Sequence, residues 1–243
     1  MRINSFIAPE QMSGDEAVLS PEESHHLARV LRVEAGQEIT LFDGTGNRAT
    51  AVITGVSKKS VTVRVTARET VPPPAVNITL IQAVSKPDRF ETVLQKAAEL
   101  GVHSIIPAIT AHTVFKSNDQ GKQAARWRSI ILNACQQSSA AWMPQLCAPE
   151  KISKIIPVLK NFDVAFIASL YPGARRFRDV LSGIGKNNFK HVALLIGPEG
   201  DFTEEETAGA VNAGAIPVSF GTQILRTETA AIFGLSVLVY ELF

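Results

Sequence analysis

Two glycine-bearing segments near the C-terminal end combine backbone and side chains that could form a ligand site. Residues 197–202 read Gly-Pro-Glu-Gly-Asp-Phe, and residues 220–230 read FGTQILRTETA. Glycines let a ligand approach the backbone closely, and the carboxylates of Glu199 and Asp201 disfavour an anion. The first segment therefore predicts a binding loop for a neutral or cationic ligand. A loop that merely turns the chain stays open as the alternative.

The second segment mixes apolar and polar side chains, which is the composition of a small-molecule pocket. Its apolar members are Phe220, Ile224 and Leu225, and its polar members are Arg226, Thr227, Glu228 and Thr229. The alternative here is local, because Thr227 or Glu228 could simply cap the last helix.

The flanking elements place both segments at one edge of a sheet. The run HVALLI before Gly197 is continuously apolar, as in a strand buried on both faces of a parallel sheet. Thr203, with Glu206 three residues later, predicts a capping box and a helix that begins there. The second segment follows the strand IPVSF, so both loops leave the carboxyl ends of strands, where open α/β sheets bind ligands.

The rest of the chain divides at TVPPPAV, whose three consecutive prolines form a stiff, extended stretch. Before a linker at 71–76, short alternating runs over residues 1–70 predict antiparallel hairpins in a small β barrel or sandwich. Residues 77–243 alternate strands with helices, which predicts a parallel α/β sheet. The last helix, from about Thr229, is apolar nearly all round. It lies deep in the core or, as we favour, packs against a second copy.

A helix near the start of the chain is predicted by Ser20 as N-cap, Pro21 at the first helical position and Glu23 completing a capping box. Its expected buried face consists of Leu27, Val30 and Leu31. A second side carries a basic stripe of His26, Arg29 and Arg32. Spaced arginines can bind successive phosphates of RNA, although a solvated charged face is the commoner explanation.

Lys86 and Arg89 stand at another predicted strand-to-helix turn, where a polyanion could bind. Plain solvation is the alternative, with Asp88 acting only as a helix N-cap.

Composition narrows the classes of function. With 243 residues, 45% hydrophobic content and a net charge of +1, the chain is expected to fold and has no overall attraction to nucleic acid. Cys135 and Cys147 lack partners at metal-ligand spacing and are interpreted as reduced packing residues. We find no signal peptide, no run of about 20 apolar residues and no metal-binding or serine-hydrolase motif, which predicts a cytoplasmic protein without metal or membrane contact.

Five segments, in order along the chain, resemble one family. HHLARVLR, KPDRFETVLQKAAELGV, CQQS, LLIGPEGDFTEEE and FGTQILRTETAA are similar to motifs of the RsmE family, the SPOUT-superfamily methyltransferases that methylate N3 of a uridine in bacterial 16S ribosomal RNA. The resemblance implies a PUA-like β-barrel and an α/β domain with a parallel sheet, helices on both faces and a deep trefoil knot. It also implies S-adenosylmethionine as methyl donor, 16S rRNA in the 30S subunit as partner, and a homodimer.

By motif match, the resemblance assigns cofactor binding to Leu195, Ile196, Gly197, Pro198, Glu199, Gly200, Phe220, Gly221, Ile224, Leu225, Thr229 and Ala230. It adds Arg29, Arg32 and Arg89 as RNA contacts beside His26 and Lys86. Uridine N3 carries a proton at neutral pH, so methyl transfer needs proton removal. We expect Arg226 to stabilise negative charge on the uracil oxygens, and Glu228 to orient the base or accept the proton.

The chain departs from the family pattern at several positions. Gln136, Ser139 and Ala140 stand where glutamate, glycine and arginine are usual, Gln223 replaces a common arginine, and Asp201 replaces the last glycine of its loop. The missing arginine at Ala140 motivates one alternative, a non-catalytic RNA-binding or ribosome assembly factor that retains the fold. A SPOUT methyltransferase acting on a different RNA is the other.

Overall fold

The computed structural model describes residues 3–57, 59–113, 120–171, 173–185 and 189–243. The chain forms two compact units, of which the first comprises Met1–Pro73 and Leu132–Met143 and the second Pro74–Ile131 and Pro144–Phe243. The boundary after Pro73 lies inside the triple-proline segment. Residues 132–143 return to the first unit from within the sequence of the second.

The first unit is built on a five-stranded sheet. Its strands are β1 (Asn4–Phe6), β2 (Glu16–Val18), β3 (Glu38–Phe42), β4 (Asn47–Val56) and β5 (Val61–Thr70). In the order β1-β3-β4-β5-β2, the β1–β3 pair is parallel and the other pairs are antiparallel, so the predicted hairpins are present. Ile39, Leu41, Ile53 and Val63 pack with Leu27 in its hydrophobic core. A short 3₁₀ turn occupies Pro9–Gln11.

Only one of the two hydrogen bonds of the predicted capping box forms at the start of helix α1 (Pro21–His25). Ser20 Oγ accepts the N–H of Glu23 at 3.2 Å, as predicted. The Glu23 side chain does not complete the predicted capping box, because it is buried and accepts hydrogen bonds from Ser5 Oγ at 2.5 Å and Gln136 Nε2 at 2.8 Å. Residues 132–143 therefore supply a partner for a buried carboxylate within the first unit.

The continuation of this helix differs from the prediction. Over His26–Leu31 it is π-helical, and it ends at Arg32 in a left-handed conformation with φ of 53°. The wider π turn changes the angular position of each later side chain. Val30 and Leu31 are consequently 60% and 43% exposed, so their predicted burial is wrong, and only Leu27 of the expected face is buried.

The second unit is built on a parallel sheet, as predicted. Its strands are β6 (Asn77–Ala83), β7 (Ser104–Ile109), β8 (Gln145–Leu146), β9 (Glu150–Lys151), β10 (Val164–Ala168), β11 (Arg175–Arg176), β12 (His191–Ile196) and β13 (Ala215–Ser219). The order is β11-β13-β10-β12-β6-β7-β8, with β9 also paired to β7, and each of these pairs is parallel. The apolar run HVALLI becomes β12, which lies between β10 and β6.

Helices cover both faces of this sheet. They are α2 (Pro87–Glu99), α3 (Gln120–Ser138), α4 (Ile152–Ile155, continued by a 3₁₀ turn over Ile156–Asn161), α5 (Phe177–Ile184), α6 (Glu204–Asn212) and α7 (Thr227–Leu242). Consecutive residues of β12 face opposite sides: Leu194 meets Gly234 of α7, and Leu195 packs in a cluster with Ala210 of α6. Within the described ranges, no helix is long and apolar enough to cross a membrane.

Candidate active site

A cavity of about 310 Å³ opens at the carboxyl ends of β10, β12 and β13 and at the start of α7. The sheet order places these three strands side by side, so the loops that leave them share one edge. The cavity is lined by residues 168–170, 196–199, 201, 218–221 and 223–227, with Arg89 of α2 and Ala230 of α7. Its volume lies at the lower end of the range for small-molecule sites, about 300–1,000 Å³.

Asp201 shapes the glycine loop and fastens it to a neighbouring loop. It adopts a left-handed conformation with φ of 58°, and its N–H donates to Pro198 O at 3.0 Å. Its carboxylate accepts the N–H of Phe202 at 2.8 Å through Oδ1 and the N–H of Leu170 at 3.0 Å through Oδ2. Aspartate is one of the few residues other than glycine that adopts this backbone readily. The carboxylate is thus engaged with the backbone of two cavity loops.

An ion pair balances the other carboxylate of the glycine loop. Arg89 Nη1 lies 2.9 Å from Glu199 Oε1, and the two side chains are 26% and 37% exposed. The repulsion of anions inferred from the sequence is therefore reduced, because Glu199 has a cation beside it. Arg89, which we predicted as an RNA contact, lines the cavity in this pair.

A buried hydroxyl joins the glycine loop to the start of α7. Thr227 Oγ1 donates to Gly197 O at 2.7 Å and accepts from Gln82 Nε2 at 2.9 Å. Thr227 is 4% exposed, and Gln82, near the end of β6, is fully buried. Thr227 does not cap the helix with its side chain, since Arg226 is the N-cap residue and no side-chain cap is formed. The hydroxyl instead holds together two segments that line the cavity.

Most residues predicted for cofactor binding line the cavity. They are Ile196, Gly197, Pro198, Glu199, Phe220, Gly221, Ile224, Leu225 and Ala230. Three others are not among the lining residues, for different reasons. Leu195 faces the opposite side of β12. Gly200 lies against the ring of His112, which a Cβ on Gly200 would approach to 3.2 Å. Thr229 is exposed on α7.

The two residues predicted to act in catalysis differ in position. Arg226 is exposed and lines the cavity. Glu228 is half-buried and does not line it. Among the described residues, Glu228 Oε2 is a buried atom without a hydrogen-bond partner, as are Gln82 Oε1 and Ser85 Oγ. Buried polar atoms without partners are rare in folded proteins. These three belong to the residue after Thr227, to its hydrogen-bond partner Gln82 in β6, and to a residue just after β6.

The remaining residues predicted as RNA contacts are on the surface. His26, Arg29 and Arg32 are exposed in the first unit, and Lys86 is exposed at the N-cap of α2 in the second. Lys86 precedes Pro87 there, so the N-cap role considered for Asp88 is wrong.

Sequence reasoning missed two parts of the cavity. Residues 168–170 lie at the carboxyl end of β10 and close the run DVAFIASL, and the expectation that this run forms another strand of the same sheet was a usable signal. Gln223 also lines the cavity, although we noted it only as a departure from a family motif. In the described part of the chain, no group of three His, Cys, Asp or Glu side chains is placed to hold a metal ion.

Known proteins match this chain over nearly its whole length. The family profile described as "RNA methyltransferase domain" matches residues 72–239, and "RNA methyltransferase PUA domain" matches residues 19–66. Ribosomal RNA small subunit methyltransferase E of Bacillus subtilis is 29% identical over 231 residues, which cover 92% of this chain and 89% of that protein.

Two solved structures are similar in fold and sequence. The structure of Lpg2936 from Legionella pneumophila, in complex with the bound cofactor SAM, has a TM-score of 0.89 and 37% identity, and covers 98% of this chain and 97% of that one. Ribosomal RNA small subunit methyltransferase E of Neisseria gonorrhoeae, bound to S-adenosyl methionine, has a TM-score of 0.89 and 29% identity over 100% and 98% of the two chains. This chain therefore belongs to the RNA methyltransferase family that contains the ribosomal RNA small subunit methyltransferase E proteins.

Proposed function

We propose that this protein transfers a methyl group from S-adenosylmethionine to N3 of a uridine in 16S rRNA, within the 30S subunit in the cytoplasm. The observation that carries the proposal is the cavity at the sheet edge, lined by both glycine-bearing loops, in a chain of this family. Its relatives from L. pneumophila and N. gonorrhoeae hold S-adenosylmethionine, which supports the choice of methyl donor.

The residues present fit this donor. Phe220, Ile224 and Leu225 offer apolar surface for a flat heterocycle, and Gly197 and Gly221 leave backbone groups accessible. Neither charge of the Arg89–Glu199 pair is left unbalanced, so a ligand with both cationic and anionic groups meets no net repulsion. When bound, S-adenosylmethionine supplies an electrophilic methyl carbon on a sulfonium.

The residues of this chain provide orientation and charge stabilisation. Arg226 lines the cavity, where its guanidinium can donate to uracil oxygens as the N3 proton leaves. Glu228 is assigned to orient the base or accept the proton; its Oε2 is buried outside the lining, so this role requires the side chain to turn towards the cavity when RNA binds. His26, Arg29, Arg32 and Lys86 have exposed side chains that can donate hydrogen bonds to RNA phosphates.

We further propose that the protein is a homodimer and that the second unit contains a deep trefoil knot. An apolar surface supports the dimer: on and just after α7, Phe233, Tyr240 and Phe243 are 42%, 84% and 60% exposed. For the knot, the support is membership of the RNA methyltransferase family.

The test is methyl transfer from labelled S-adenosylmethionine to 30S subunits that lack their native uridine methylation, followed by digestion and nucleoside analysis. We expect label in 3-methyluridine. Arg226→Ala should lower kcat by about 10²–10³-fold, as loss of a charge-stabilising donor does, with cofactor affinity changed much less.

Two other results would each assign a different function. Label in another nucleoside or another RNA would identify a different substrate. Tight cofactor binding without transfer to any RNA would favour the non-catalytic binding factor. Lys154→Ala, a change of an exposed cation on α4, serves as the control and should leave kcat unaltered.

A further inference from the structure

We propose that the loop after β10 and strand β11 form a contact surface for single-stranded RNA around the target nucleotide. This surface, the β11 platform, consists of Leu170, Tyr171, Arg175 and Arg176. The inference rests on the proposed function for the identity of the RNA. It adds a site in the second unit that lies outside the basic stripe of the first.

The composition of the β11 platform matches that of single-strand binding sites. Leu170 and Tyr171 are 62% and 52% exposed, so both side chains are accessible to a ligand. Arg175 and Arg176 are exposed, and neither has a side-chain hydrogen bond or ion pair to any residue that the structure describes. Aromatic rings stack on unpaired bases and arginines bind phosphates, so together they suit RNA that is not base-paired.

The platform adjoins the cavity. Arg175 pairs with Val218 and Arg176 with Ser219 across the β11–β13 ladder, and both partners line the cavity. Neighbouring strands lie about 4.8 Å apart, so the arginines are one strand away from the cavity wall. Leu170 lines the cavity itself. A nucleotide next to a base in the cavity would therefore come within reach of the platform.

Hydrogen bonds fix the backbone of Leu170 and Tyr171 before any RNA binds. The N–H of Leu170 donates to Asp201 Oδ2 at 3.0 Å, and the N–H of Ala174 donates to Tyr171 O at 2.9 Å. At Gly173, a Cβ atom would lie 2.7 Å from Tyr171 Cε1, so only glycine lets the ring lie against the backbone there. A ring fixed in this way loses little conformational entropy when a base stacks on it.

A second copy of this chain is the other candidate occupant, and charge argues against it. A two-fold contact centred on the platform would bring Arg175 and Arg176 close to the same residues of the partner, and like charges repel. The apolar surface at Phe233, Tyr240 and Phe243 offers an uncharged alternative for dimerisation. RNA, as a polyanion, complements the platform.

The experiment measures the affinity of the full-length protein for a fluorescein-labelled oligouridylate by anisotropy over a range of salt concentrations. Tyr171→Ala should weaken binding by about 5- to 100-fold, the effect of losing one stacked base, whereas Tyr171→Phe keeps the ring and should bind like wild type. Arg175→Gln/Arg176→Gln should reduce the slope of log affinity against log salt by about 1.4, or 0.7 for each phosphate contact on a single strand. Calorimetry should give an unchanged affinity for S-adenosylmethionine.

Lys151→Gln/Lys154→Gln is the matched control, because it removes two exposed cations near β9, towards the opposite edge of the sheet. The proposal is overturned if this control weakens RNA binding as much as the arginine pair does, or if Tyr171→Ala binds RNA like wild type. It is also overturned if Tyr171→Ala changes the molar mass in light scattering, since the surface would then be an interface between copies. Wild-type protein that binds oligouridylate through the platform but methylates no RNA would refute the proposed function and not the platform.

Discussion

Replacing Thr227 by valine removes one hydroxyl and nearly preserves the shape of the side chain. That hydroxyl donates to Gly197 O at 2.7 Å and accepts from Gln82 Nε2 at 2.9 Å. Both side chains are buried, with Thr227 4% and Gln82 0% exposed. Leaving one buried polar group without its partner costs about 1–3 kcal/mol. Valine does this to Gly197 O and removes one of the two hydrogen bonds of Gln82 Nε2, which still donates to Ala83 O at 3.1 Å. We therefore expect Thr227→Val to lower the free energy of unfolding by about 2–4 kcal/mol.

The same substitution should weaken binding of S-adenosylmethionine, because the glycine loop and the start of α7 would no longer be joined beside the cavity. Urea unfolding followed by circular dichroism measures the stability, and calorimetry measures the cofactor affinity. Thr227→Ser is the matched control: it keeps the hydroxyl and loses one methyl group. It should lose only about 0.8 kcal/mol of stability and bind the cofactor like wild type.

A double-mutant cycle with Gln82→Met separates the hydrogen bond from general packing. If the two side chains interact as the structure indicates, the single changes should not add, and the coupling energy should be about 0.5–3 kcal/mol. The reasoning is refuted if Thr227→Val and Thr227→Ser unfold at the same urea concentration and the effects of Thr227→Val and Gln82→Met are additive. The hydroxyl would then contribute nothing beyond its volume.

Two further predictions concern stability. At Gly234 of α7 a Cβ atom would lie 2.8 Å from Phe220 Cζ, so Gly234→Ala should cost about 1–3 kcal/mol in thermal unfolding. In Gly209→Ala on α6 the nearest contact would be 3.4 Å, and this control should be neutral or stabilising, whereas equal losses at both sites would contradict the packing argument. Burial raises the pKa of Asp43, but hydrogen bonds, first that from Asn47, outweigh it and leave the pKa below its ordinary value. Because the pKa of this carboxyl is lower in the folded than in the unfolded state, its charge stabilises the folded protein at pH values above the unfolded pKa. The difference in free energy of unfolding between wild type and Asp43→Asn should therefore shrink as pH falls from about 5 to about 3. A difference in free energy of unfolding that stays constant over this range would show that the carboxylate is not its cause.

The fold of the second unit was largely predictable because its central strands β6, β10 and β12 are buried on both faces. A strand such as β12 must be apolar throughout, and this pattern is visible without knowledge of its neighbours. The strands β8, β9 and β11 have two residues each and carry no pattern, so they could not be predicted. The π-helical turn at His26–Leu31 could not be predicted either, because helical spacing of apolar residues presupposes a regular α-helix.

The location of the site was predictable for a different reason. Loops at the carboxyl ends of parallel strands must share an edge, which brought residues 197–202 and 220–230 together before the structure was known. The pairs that fix their geometry were not predictable. Arg89 and Glu199 are 110 positions apart, and Gln82 and Thr227 are 145 apart. No local pattern in a single sequence reports such contacts.

The segment Leu132–Met143 makes the first unit discontinuous in sequence. Its Gln136 donates to the buried carboxylate of Glu23, and its Trp142 lies so near Gly46 that a Cβ there would clash with the indole ring. A fragment that ends at Pro73 would lack both partners and expose the surfaces that they cover. Recombination that exchanges the N-terminal module between relatives at the proline segment would therefore transfer an incomplete module. A working chimera has to inherit both stretches from the same parent.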